Sequence, residues 1–222
     1  MSEPRLLDLC CCQGGASAGY TDAGWRVDAV DLDPQPRHYP GARFIQADAF
    51  TYLGDCWRDY DAVHVSPVCQ GYSDCQRIQG RDHPMQIGLF RKLLHSTRLP
   101  YVIENVEAAR WAMRSPVLLC GAAFGLHTYR HRLFESNVPL DVPPHAPHLE
   151  VQTKMGRPLR EGDWYHAVGN FSNVPYVRAD LGVPWMNRDG IRECIPPVYA
   201  EHVGRQLLAH ITARSWRPTC SA

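Results

Sequence analysis

The chain has 222 residues, 45% hydrophobic and 21% charged, which suits one core-bearing domain with a small appendage and excludes a large modular machine. No run approaches a membrane span, and Met1 to Arg5 lead straight into Leu6-Leu7-Asp8-Leu9 without the apolar stretch of a signal peptide, so a cytoplasmic chain is expected. The formal charge is zero, from 23 basic and 23 acidic residues, but residues 1–70 carry 10 acids and 5 bases, 71–134 carry 4 acids and 9 bases, and 135–222 carry 9 of each. What the chain offers a polyanion is therefore a local field in its middle third. Nine cysteines, three of them adjacent at Cys10, Cys11 and Cys12, read as reduced thiols rather than a disulfide scaffold.

Short β-branched apolar runs alternate with helical stretches along the chain. Strands are predicted over Arg5–Leu9, Arg26–Leu32, Arg43–Gln46, Ala62–Val65, Tyr101–Val106, Val117–Leu119 and Leu133–Glu135. Helices are predicted over Ala16–Ala23, Met85–Thr97 and Val198–Arg214, the last with Val203, Leu207, Leu208 and Ile211 on one face. This alternation is that of an α/β protein on a mostly parallel sheet. After Phe134 the texture changes: Val138 to His148 holds four prolines in eleven residues, and the chain stays irregular to about Cys194. The division expected is a catalytic domain over 1–135, an irregular lobe over 136–194, and a C-terminal helix over 195–222 packing back on the first domain.

Strand ends carry the chemistry. The first strand enters Cys10-Cys-Cys-Gln-Gly-Gly-Ala-Ser-Ala-Gly19, a small-residue turn that lets backbone approach a nucleotide-like ligand. Asp31 and Asp48 end the second and third strands along the same sheet edge, either as ligand contacts or as helix caps and turn residues. The fourth leads into Ser66-Pro67-Val68-Cys69-Gln70, where the cysteine is a nucleophile or a small buried hydrophobe. The fifth, Tyr101-Val-Ile-Glu104-Asn105-Val106, ends in a carboxyl that is costly to bury without a partner or a task.

The order of these motifs resembles that of the cytosine carbon-5 DNA methyltransferases, in particular short phage-type members with a reduced target-recognition region. The resemblance covers nearly the whole chain: the Leu7 to Gly15 turn, Val30-Asp31-Leu-Asp33, Gln46-Ala-Asp48, Ser66-Pro-Val-Cys-Gln70, Glu104-Asn105-Val106, Arg130-His-Arg132-Leu-Phe134, and the tail from Gly182 to Tyr199. It implies a Rossmann-like S-adenosylmethionine-dependent fold with a seven-stranded, mostly parallel sheet. It also implies methyl transfer to carbon 5 of cytosine in DNA, with a flipped-out base. Cys69 would add to carbon 6, Glu104 would donate a proton to N3, and Arg132, with Arg130 beside it, would hold the base. The cofactor would meet Asp8, Cys10, Gln13, Gly14, Gly15, Asp31, Leu32, Asp48, Ala49 and Pro67. Nucleic acid would meet Gln70, Ser73, Arg77, Arg81 and Asn105. A basic segment over 74–98, with Arg77, Arg81, Arg91, Lys92 and Arg98, is expected to close over the strand, the protein acting as a monomer in a bacterial or phage-infected cell. Restriction-modification and protection of phage DNA both suit such an enzyme.

Two positions depart from the family. Val68 replaces the proline before the nucleophile, and Cys12 stands where the family has glycine, so a positive φ there would be strained. The same chemistry on RNA or free nucleotides, a modified cofactor, or an inactive binding module remain open from sequence. Cys120, His127 and His131, and separately His145 and His148, lack any C-x-x-C partner, so no metal site is expected. Trp185 and Tyr199 read as packing residues of the C-terminal lobe.

Overall fold

The computed structural model describes residues 3–72, 83–145 and 147–215. Its seven strands are β1 Arg5–Leu9, β2 Arg26–Asp31, β3 Arg43–Gln46, β4 Ala62–Val65, β5 Tyr101–Val106, β6 Val117–Leu119 and β7 Arg132–Ser136. They lie in the order β3-β2-β1-β4-β5-β7-β6. Strands β1 to β5 run parallel to one another, and β7 is antiparallel to both β5 and β6. All seven lie where the hydrophobic runs predict them, within a residue at each end, because strands buried on both faces read as continuous apolar stretches.

Among the described residues six α-helices accompany the sheet: α1 Gly15–Asp22, α2 Ala49–Cys56, α3 Ile87–Thr97, α4 Val174–Leu181, α5 Arg188–Glu193 and α6 Pro197–Ser215. Alternation along β1 divides the core. Leu6 faces Tyr20 and Trp25 with Val203 and Leu207 of α6, whereas Leu7 and Leu9 face Leu53 of α2 and Phe90 and Leu94 of α3. Helices α1 and α6 touch through glycines. A Cβ on Gly204 would stand 2.8 Å from Tyr20 and 2.9 Å from Ala23, and one on Gly19 would meet the Pro197 carbonyl. Trp25 Nε1 donates to the Gly204 carbonyl at 2.9 Å across this junction.

Residues 136–194 are less irregular than their composition suggests. Helices α4 and α5 lie there, begun by side-chain caps from Asn173 to Tyr176 N and from Asn187 to Gly190 N. Tyr165, Phe171, Val177 and Leu181 join the same cluster as Leu6, so this segment shares the sheet's core. Proline and glycine masked the short helical periods from the pattern reading.

Candidate active site

The chain order reverses between β1 and β4, and in open α/β sheets a crevice forms there, outside the carboxyl ends of the strands. A cavity of about 840 Å³ occupies this place. Its wall includes Asp8 and Cys10 to Gln13 from the β1 side, Asp31 and Leu32 after β2, Asp48 and Ala49 at the start of α2, Ser66 to Gln70 after β4, and Glu104 of β5. Arg130 and Arg132 enter from β7, and Gly190 with Glu193 to Ile195 from the C-terminal segment. Residues spread over the whole sequence thus meet in one crevice, with Cys69, Glu104 and Arg132 at one part of it.

Glu104 is 5% exposed, and burial pushes its carboxyl up from the ordinary range, partly opposed by the positive charge of Arg132. Arg132 Nε lies 3.1 Å from Glu104 Oε1, an ion pair whose geometry leaves that buried oxygen without a hydrogen bond. A buried carboxyl with a raised pKa and an unpartnered oxygen at a cavity wall is a candidate for meeting a ligand. Cys69 is half-buried, and burial together with the Glu104 charge raises its thiol, while Arg132 lowers it. The resting sulfur is therefore a thiol, and neutralising Glu104 favours its ionisation.

The loop presenting Cys69 is held from below. Asn105, 1% exposed, donates from Nδ2 to the Pro67 carbonyl at 2.9 Å, and its Oδ1 accepts from Val106 N at 3.0 Å. Asn105 therefore anchors the loop that carries Cys69, beside Val68, and its side chain is engaged by the protein itself. Arg130 is engaged in the same way. Its guanidinium is buried and donates to the carbonyls of Cys194 at 2.9 Å, Ile191 at 2.8 Å and Arg192 at 2.9 Å, tying β7 to the end of α5. Burial and the neighbouring Arg132 bring it down to about 10. Arg130 sits at φ 32°, held by these bonds, and is a positioning residue beside Arg132.

The first turn carries the strain its sequence implies. Cys10 and Cys12 adopt φ 58° and 47°, and Asp31 offsets the second by accepting from Cys12 N at 2.9 Å. The glycines there serve protein packing: a Cβ on Gly14 would stand 2.9 Å from Tyr39, and one on Gly15 2.8 Å from Cys194 Sγ. Gln13 is docked to the lobe, its Nε2 donating to Asn187 Oδ1 at 2.9 Å while Trp185 Nε1 donates to its carbonyl at 2.7 Å. Asp48 caps α2 by accepting from Thr51 N at 2.8 Å, and Leu32 is 66% exposed at the cavity mouth. Tyr199 is fully buried, its hydroxyl donating toward the Arg130 carbonyl at 3.1 Å.

Ser73, Arg77 and Arg81 lie outside the described residues. The far end of the expected closing segment is corrected: Arg91 is an internal residue of α3, paired with Glu135 of β7, while Lys92 and Arg98 are exposed. Pattern reading missed the stacked pair Phe50 and Phe90, 3.9 Å between centroids, which lines the cavity beside Ala49. Their aromatic positions at helix starts carry no motif by which to find them. It also missed Glu193, which no strand or turn signal marks.

Sheet order and the crevice at its switch point define an α/β protein with a Rossmann-like fold, one shared with methyltransferases of known structure. No family model and no curated protein matches the sequence. Among solved structures, a protein encoded in an E. coli prophage and described as a DNA modification methyltransferase is 15% identical, with a TM-score of 0.60 over 94% of this chain and 99% of that one. The Entamoeba histolytica methyltransferase EhMeth is 10% identical, with a TM-score of 0.61 over 95% of this chain and 99% of its own. The chain shares their fold across nearly its whole length.

Proposed function

We propose that this protein transfers a methyl group from S-adenosylmethionine to carbon 5 of cytosine in DNA, through a covalent adduct of Cys69 at carbon 6. The observation that carries this reading is the meeting of Cys69, Glu104 and Arg132 at the crevice that the β1 turn, Asp31 and Asp48 also line. The residues present suit the cofactor: Asp31 and Asp48 stand at the strand ends where ribose and adenine are held in such folds, the Phe50 ring offers an apolar wall, and buried Asp8 Oδ1 has no hydrogen-bond partner. S-adenosylmethionine, when bound, supplies an electrophilic methyl group. Arg132 and Glu104 present the base, Glu104 handing its proton to N3 as the sulfur of Cys69, its own proton passed to solvent water, bonds to carbon 6. Carbon 5 thereby becomes nucleophilic enough to take the methyl. Loss of the carbon-5 proton then re-forms the double bond, the carbon–sulfur bond breaks, and Glu104 recovers the N3 proton. Flipping the base out of the duplex costs a few kcal/mol, offset by strand contacts.

Incubation with DNA containing 5-fluorocytosine in the presence of cofactor tests nucleophile and methyl donor together. The carbon-5 fluorine blocks the final elimination, so the wild-type chain is trapped covalently and Cys69→Ser is not. Absence of a trapped complex with the wild-type chain, or trapping that survives Cys69→Ser, would overturn this chemistry. The small segment between β7 and α6 supports a short recognition sequence, read by mapping methylated cytosines in DNA from expressing cells.

A further inference from the structure

Beside β7, at the edge of the same crevice, which His131 and His148 also line, four side chains converge from three stretches of chain. Cys120 follows β6, His131 precedes β7, and His145 and His148 belong to the proline-rich segment. One ligating atom from each lies within 4.8 Å of all the others. His145 Nε2 stands 3.1 Å from His131 Nε2, His131 Nε2 stands 3.2 Å from His148 Nε2, and Cys120 Sγ stands 3.5 Å from His148 Nε2.

We propose that Cys120, His131, His145 and His148 bind one zinc ion in a closed tetrahedral site. Zn–N bonds of about 2.0–2.1 Å and a Zn–S bond of about 2.3 Å set tetrahedral edges of ~3.4 Å between nitrogens and ~3.6 Å between nitrogen and sulfur. The three contacts above match those edges within a few tenths of an ångström. Hydrogen bonding alone satisfies the cluster poorly. His131 Nδ1 stands 2.8 Å from Glu107 Oε2 and donates to it, which leaves a single lone pair on Nε2 facing two other imidazole nitrogens. One cation accepts that lone pair, two more like it and a thiolate. The contact with Glu107 is also the carboxylate–histidine arrangement that orients metal-bound imidazoles. The His148 ring is fixed from another side by stacking on Tyr129, with centroids 3.6 Å apart and planes 12° from parallel.

A thiolate with three imidazoles in tetrahedral array selects zinc over harder cations. Four protein ligands leave no open position, so the ion is structural. Its place says what it holds. The described residues of the segment carrying His145 and His148 form no helix or strand, and a bridge to His131 pins it to the residue between Arg130 and Arg132. His127, which the spacing had grouped with Cys120 and His131, is excluded, its Nδ1 lying 2.6 Å from Asp180 Oδ1.

The test reads metal and not turnover, so it stands apart from the methyl-transfer reading. The full chain, purified without chelator, should hold about one zinc per chain by mass spectrometry of the metal. After chelation it should take up one cobalt(II), with the visible absorption of a tetrahedral site and a thiolate-to-metal charge-transfer band. His145→Ala and His148→Ala change exposed side chains and should fold, as circular dichroism will show, yet lose stoichiometric metal. Cys120→Ser should lose the charge-transfer band, Glu107→Gln should weaken affinity about 10- to 100-fold, and His127→Ala should leave it unchanged. A folded wild-type chain that takes up neither zinc nor cobalt overturns the site. So does full metal retention in both His145→Ala and His148→Ala.

Discussion

Asp8 gives the protein a stability that depends on pH in a direction opposite to that of ordinary paired carboxylates. It sits on β1, 1% exposed, with Oδ2 accepting from Ser17 Oγ at 2.5 Å and Oδ1 unpartnered. Burial pushes it up from 3.8 to about 7, and the charges of Asp31 and Glu104 add to this, while the Ser17 hydrogen bond opposes it. Between about pH 5 and pH 8 an unfolded aspartate is ionised throughout, whereas the folded one keeps its proton until near 7. The folded state holds up to one proton more from about pH 4 to about pH 7, so stability falls as pH rises, by ~1.4 kcal/mol per pH unit and about 4 kcal/mol in all. Below the unfolded value both states are protonated and the full contribution is present. Asp8→Asn keeps an acceptor for Ser17 and has no proton to lose. Urea unfolding of both proteins from about pH 3 to about pH 8 should show near-equal stability at the acid end and a variant more stable by about 4 kcal/mol at the alkaline end. Glu104 pushes in the same direction but is common to both chains, so it cancels in the difference. Parallel pH curves for the two proteins would refute a proton held on Asp8.

Three further outcomes follow from the same contacts. Glu104→Gln keeps size but cannot deliver a proton from a carboxyl, so methyl transfer should fall about 10²- to 10⁴-fold with cofactor affinity unchanged, measured with labelled cofactor and by calorimetry. Asn105→Ala frees the Pro67 carbonyl, and its methyl-transfer rate should drop more than its affinity for DNA, because the nucleophile loop loses its anchor. Arg91 donates to both Glu135 oxygens, at 2.5 and 2.7 Å, and to the Ala112 carbonyl at 2.7 Å. Removing it by Arg91→Ala leaves a buried carboxylate and should cost about 3–5 kcal/mol, whereas Arg91→Met with Glu135→Leu should cost much less, as chemical denaturation will show.

The strands, and helices α1, α3 and α6, were legible because they rest on local apolar periods that burial imposes residue by residue. Cys69, Glu104 and Arg132 each stand at or beside a strand end, where the sequence marks a costly polar or reactive group, and the structure gathers them in one crevice. The partners of these residues were not legible. Arg130 reaches carbonyls more than sixty positions away, Gln13 meets Asn187 across 174, and Asn105 supports Pro67 across 38. No spacing rule encodes such pairings; they exist only once the β-strands stack in an order that differs from the chain order. For the same reason the zinc ligands looked unrelated along the chain. Sequence alone determined a parallel α/β sheet with chemistry at its carboxyl edge. Only the tertiary structure decided which polar side chains face the crevice and which are spent holding it together, because backbone carbonyls compete for the same donors and burial settles which partner wins.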